Sequence, residues 1–159
     1  MERQEQKQQR IFFKFHGMEP KYNILSNLYF SSLCIDGLYF DSVEKVYVFR
    51  KAVFHDCSDS LIDQIMQAET GLECMRLGRS IKIKPEWHES KSQIMFCILY
   101  ERIRQDISFR EVIMETKGKS LHEHTNNKFW GYGSQMGRKT GQDWLGRMLT
   151  FIRDNYQDA

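Results

Sequence analysis

The chain has 159 residues, a length that fits one domain and hardly two. Apolar residues make up 41%, aromatics 13% and charged residues 28%, which is enough for a core and too apolar for a disordered chain. Against 23 basic residues stand 21 acidic ones, so the formal charge of +2 excludes general polyanion binding as an electrostatic expectation and leaves room only for a local basic pocket.

The longest apolar run, Ile94 to Tyr100, ends at once in Glu101-Arg102, far short of the roughly 20 residues of a membrane span. The opening MERQEQKQQR has no apolar core of a signal peptide. The expectation is a cytoplasmic or nuclear-cytoplasmic protein, not secreted, with no membrane partner. Cys34, Cys57, Cys74 and Cys97 form no CxxC pair and read as reduced, mostly buried thiols. Nothing in the sequence calls for a metal or a cofactor, and the oligomeric state stays open.

In chain order, residues 1–10 form a polar tail expected to be disordered, and 11–157 form a single compact domain. Arg10 to Phe15 is β-prone. Leu33 to Phe40 carries Asp36-Gly37 between two apolar runs, the signature of a type I′ hairpin, whose two turn positions need positive φ. Asp41 or Ser42 caps a helix over 43–55, and Ser58 or Asp59 caps a second with Leu61, Ile62, Ile65, Met66 and Ala68 on its buried side. Gly71 to Leu77 reads as a short helix closed by Gly78. Pro85 opens the longest helix, 86–104, with Ile94, Met95, Ile98, Leu99 and Ile103 near one stripe. Ser108 and Glu111 make a capping box before Val112 to Met114, and Trp144 to Tyr156 forms the last helix. The fold class expected is mainly α with a few short antiparallel strands.

Three places have the residue types of a site. On the helix at 43–55, Glu44, Lys51 and His55 share one face, and Glu44 lies about 10.5 Å from Lys51 along the axis, suited to meeting one ligand from two turns. The same pattern fits a solvated helix face. Asn126-Asn127-Lys128-Phe129-Trp130-Gly131-Tyr132-Gly133 offers a stacking plane and close backbone approach, or a turn with a core tryptophan. Gly141 to Arg147 and the Arg79 that follows Gly78 are candidate phosphate contacts, or simply helix caps.

Taken in order, these pieces resemble the NADAR (YbiA-like) family from about Asn23 to Tyr156. The matching pieces are Leu25-Ser26-Asn27, Asp36-Gly37 followed by Ser42-x-Glu44, Lys51-Ala52, Gly78-Arg79, Trp87 with Lys91, Met95, Leu121-x-Glu123, Trp130-Gly131-x-Gly133 and Gly141-x-x-x-Leu145-Gly146. The resemblance implies an N-glycosidase acting on a ribosyl phosphate or ADP-ribosyl compound, the partner being a small molecule or an ADP-ribosylated nucleic acid. The family's acidic residue falls on Glu44, its lysine on Lys51, its aromatics on Trp87 and Trp130 beside Gly131. Asn27, Lys45 and Arg79, with Arg50 as a weaker candidate, are expected to contact phosphate. The sequence departs from the family pattern at Lys45 (usually His), Val48 (usually Gln), Asn127 (usually acidic) and Asp143 (usually Asn). Glu44, Lys51 and Asn127 are thus the expected catalytic set, with Lys51 as a Schiff-base candidate and Glu44 as its proton shuttle. The lost carboxylate at 127 leaves a non-cleaving ADP-ribose or nucleotide-binding module as the competing reading.

Overall fold

The computed structural model describes residues 8–158. Helices dominate: α1 (Val43–Phe54), α2 (Asp59–Gln67), α3 (Gly71–Arg79), α4 (Trp87–Gln105), α5 (Ile107–Glu115) and α6 (Trp144–Asn155), with a 3-10 helix at Pro20–Leu25. Among the described residues four short strands, β1 (Arg10–Phe13), β2 (Leu33–Ile35), β3 (Leu38–Phe40) and β4 (Ser120–Glu123), form two separate pairs. The expected tail over 1–10 lies outside the described residues for 1–7, and Arg10 already belongs to β1.

The hairpin forms as its turn demands. Asp36 and Gly37 take φ of 50° and 78°, and Leu33 pairs with Phe40 across β2 and β3. The other pair differs from the expectation: β1 and β4 run parallel, with Arg10 opposite Ser120 and Phe13 opposite Glu123. A parallel pair needs a long crossover, and here nearly the whole helical body supplies it.

Helix α1 is the hub and packs against α2, α3 and α4. Ser42 caps it by accepting from Lys45 N, and Val43, Val46, Tyr47, Val48 and Ala52 are all buried. Two expected helix signals are corrected. Gly78 does not end α3, which runs on to Arg79; a Cβ there would sit 3.0 Å from Val48 Cγ2, so glycine is what lets α3 lie close to α1. The cap of α5 is Asp106, whose side chain accepts from Phe109 N, and not Ser108. Of the thiols, only Cys74 is buried, and Cys34 and Cys97 are exposed. Among the described residues no helix is long and apolar enough to cross a membrane.

Two buried arginines shape the ground around α1. Arg102 of α4, with no exposure at all, donates to the carbonyls of Ile24 and Ser26 and lies 4.1 Å over the Phe109 ring. Burial pulls its pKa down to about 10, with Asp106 opposing that fall. The loop it holds delivers Asn27, whose carbonyl accepts from Glu44 N at 3.0 Å. Arg153 of α6 donates to Thr116 O and Lys119 O and fixes the turn that leads into β4.

Candidate active site

A recessed cavity of about 470 Å³ lies where α1, α3, α4, the 26–28 loop and the segment after β4 meet. From α1 come Glu44, Tyr47, Val48 and Lys51; from the other elements come Asn27, Arg79, Met95, Glu123, Asn127 and Trp130. A roomier groove, about 750 Å³, runs between the β2–β3 hairpin, α1 and α4. Its charged groups are the Arg50–Asp36 ion pair and Glu101. The smaller cavity gathers Glu44, Lys51 and Glu123 on one space and is the candidate site.

Glu44 and Lys51 do face one space. Burial raises the Glu44 carboxyl to about 7, while the positive charges of Lys51 and Arg79 pull it back. Burial also lowers the Lys51 amine, opposed by the Glu44 charge. Its Nζ donates to Gly78 O at 3.0 Å. A second carboxylate enters from β4. Glu123 is raised to about 8, first by burial, then by the charges of Glu44 and Asp143. Two carboxyls with raised pKa thus face one cavity, and the charge of one disfavours ionisation of the other.

Glu123 belongs to the Leu121-x-Glu123 piece but not to the expected catalytic set. The signal was available in strand alternation: Leu121 is 1% exposed, and Glu123, two residues on, points to the same inner side.

Asn127 reaches the cavity rim in another capacity. Its Oδ1 accepts from Phe129 N at 3.0 Å and Trp130 N at 2.9 Å, so its side chain builds the loop. That loop presents Trp130 edge-on to Tyr47, ring centres 5.7 Å apart. Gly131 is required here, because a Cβ would overlap Thr125 Oγ1 and lie 2.7 Å from Thr125 O. Arg79 lines the cavity, is exposed, and enters no ion pair among the described residues. Asn27 is 8% exposed, donates weakly to Met95 Sδ at 3.4 Å, and leaves its Oδ1 without a partner, as is Thr125 Oγ1.

Four expectations about placement are corrected. The Lys45 ammonium is 4% exposed and turns away from the cavity to bond Asp41 Oδ2, Met66 O and Ala68 O; it ties α1 to the end of α2. Trp87 is 2% exposed and packs among Tyr47, Phe54 and His55 behind the cavity wall. Arg50 faces the other groove. His55 shares the α1 face with Glu44 only nominally: its Nδ1 donates to Lys51 O and its Nε2 accepts from Lys84 N, which clamps the helix end to the α3–α4 connection.

The NADAR domain model matches residues 12–157. The chain is 26% identical over 147 residues to a riboflavin biosynthesis protein of Vibrio vulnificus, covering 91% of this chain and 38% of that protein, so it spans well under half of that relative. It is 26% identical over 149 residues to the N-glycosidase YbiA of Escherichia coli, covering 92% of this chain and 89% of that protein. The NMR structure of E. coli YbiA shares the fold, with a TM-score of 0.75 at 24% identity over 92% of this chain and 84% of the other. With the model match spanning all but the two ends, the chain is a member of the NADAR family.

Proposed function

We propose that this protein is an N-glycosidase that hydrolyses the N-ribosyl bond of a phosphorylated ribosyl or ADP-ribosyl compound. The observation that carries the reading is the convergence of Glu44, Glu123 and Lys51 on one cavity, each shifted by burial toward its uncharged form. Although residue 127 carries no carboxylate, Glu123 leaves a second carboxyl beside Glu44 in the cavity, which favours an enzyme over a binding module. The N-glycosidase name of the E. coli relative points the same way.

Cleaving an N-ribosyl bond builds positive charge at the sugar C1 and negative charge on the departing nitrogen. Glu123, the carboxyl with the higher pKa, is the natural proton donor to that nitrogen. Glu44, held nearer ionisation by Lys51 and Arg79, stabilises C1 and shuttles protons. Lys51 adds a covalent route. The N-riboside opens as the bond from C1 to the ring oxygen breaks, the oxygen takes a proton, and C1 becomes an imine carbon. The Lys51 amine then attacks C1, the base leaves as its protonated amine, and water hydrolyses the lysine imine to restore both sugar and enzyme. The lowered pKa of Lys51 supplies the neutral amine that the attack needs. Val48, Met75 and Met95 give the wall an apolar portion for a planar base, Trp130 adds an aromatic edge, and Arg79, which also lines the cavity, is the residue assigned to phosphate in this reading.

The test is a borohydride trap with ADP-ribose and, separately, ribose 5-phosphate, read by mass of the intact protein and its peptides. An adduct on Lys51 is expected, together with loss of turnover on N-ribosylated bases in Glu44→Gln and Glu123→Gln. Wild-type turnover in Lys51→Ala eliminates the covalent route. Thermal stabilisation by ADP-ribose with no product from any N-riboside makes the protein a binding module.

A further inference from the structure

Asp143 stands where the family pattern has Asn, and no step of the proposed reaction uses it. It is nevertheless among the most tightly held residues of the fold, 1% exposed and at a left-handed φ of 56°. Its two carboxylate oxygens both take donors from the strand that carries Glu123. Oδ1 accepts from the Glu123 backbone N–H at 3.2 Å, and Oδ2 accepts from His122 Nδ1 at 2.6 Å. Its own N–H donates to Gly131 O at 3.0 Å, and its carbonyl accepts from Arg147 N at 3.0 Å. One residue therefore joins β4, the Trp130–Gly131 loop and α6.

A carboxylate only accepts, so the His122 proton sits on Nδ1, and Nε2 accepts from Ser120 Oγ at 2.8 Å. The ring is held between Phe12 and Tyr132, with centres 5.3 and 5.0 Å away. An amide at 143 would offer an acceptor to Glu123 N but turn a donor toward His122 Nδ1, reversing the proton arrangement of the ring. The aspartate is thus matched to His122 in this chain.

We infer that the Asp143 carboxylate, through its paired bonds to Glu123 and His122, is a positioning residue for the acid of the reaction. This rests on the role of Glu123 given above. Asp143 fixes the strand that aims Glu123 and adds a nearby negative charge that favours the protonated carboxyl. The charged groups about Glu123 are Glu44 from α1, which acts in the same direction, and Asp143 from the entry to α6; Lys51 on α1 and Arg79 on α3 act on Glu44.

The experiment is Asp143→Asn, nearly isosteric and tolerant of the left-handed backbone. Ring nitrogen shifts of His122 and the carboxyl carbon titration of Glu123 are followed by NMR beside the pH profile of kcat/KM. Expected are a switch of His122 to the Nε2–H form and a fall of the Glu123 titration by about one pH unit, the size produced by removing one nearby like charge. The alkaline limb of activity moves down with it. A folded D143N with unchanged His122 tautomer and unchanged Glu123 titration reduces Asp143 to a structural cap and overturns the inference. If D143N does not fold, Asp143→Gly, which suits the positive φ, gives the same comparison of Glu123. Because the titration needs no turnover, an absence of glycosidase activity in the wild type defeats the proposed function while the Asp143 result is still read.

Discussion

Replacing Glu123 by Gln should abolish turnover and, at alkaline pH, stabilise the protein. An unfolded glutamate releases its proton near 4.5, whereas Glu123 in the fold holds it to about 8. Between those values the folded state binds more protons than the unfolded one. The contribution of this group to stability is therefore complete below pH 4.5, declines as pH rises, and is lost above about 8. At about 1.4 kcal/mol per pH unit, keeping the ionised carboxylate in the fold costs on the order of 5 kcal/mol at high pH. Coupling to Glu44, itself raised to about 7, spreads that cost over the pair, so about 2–4 kcal/mol is the expected gain from the single substitution. Glutamine keeps the shape and cannot ionise. Urea unfolding of wild type and Glu123→Gln at pH 5 and pH 9 measures the effect as the change in their stability difference between the two conditions. A difference that stays constant from pH 5 to pH 9 would refute the buried-carboxylate reasoning, whatever the variant does to catalysis.

Lys45→Met should destabilise by about 3–5 kcal/mol, because it leaves Asp41 and two carbonyls at the end of α2 without their buried cation; the folded fraction at low temperature should keep its turnover, measured by active-site titration. Gly131→Ala forces Thr125 and the 126–131 loop to move, with a loss of about 1–3 kcal/mol in thermal unfolding and a larger loss of activity as Trp130 shifts. Arg79→Ala should leave stability within about 0.5 kcal/mol, as an exposed residue without an ion pair among the described residues, while raising KM for phosphorylated substrates and not for their dephosphorylated counterparts.

The parts of this fold legible in the sequence are those set by neighbouring residues. Asp36-Gly37 dictates its own turn, Ser42 and Ser58 cap the helices that follow them, and the stripe of Met95, Ile98, Leu99 and Ile103 marks the inner side of α4. What the sequence left illegible depends on distant partners. Gly78 resembles a terminator until Val48 is placed against it. Lys45 resembles a phosphate ligand until the carbonyls of Met66 and Ala68 arrive to hold it. Ser108 and Asp106 compete as caps two residues apart, and the short bond from Ser31 to Asp106 shows that the aspartate is also fixed by tertiary contact. In the site, Glu44 and Lys51 were readable because one helix sets their spacing. Glu123 was legible only in part: alternation sets it on the same face as Leu121, and the pairing of β1 with β4 is what turns that face inward.

That pairing also has a consequence for how the protein is made. Arg10 finds its partner Ser120 only after the intervening 109 residues have been synthesised. The strand bearing Glu123 therefore docks late, when loop closure over most of the chain is complete, and contacts of such long sequence separation form slowly. A nascent chain arrested before β4 has α1, with Glu44 and Lys51, but no second carboxyl and no Trp130 wall, so the cavity is complete only once the segment from β4 through Trp130 has been made. Trimming the chain from its start past Phe13 would likewise reach the site from the far end of the sequence, by removing the strand on which Glu123 leans.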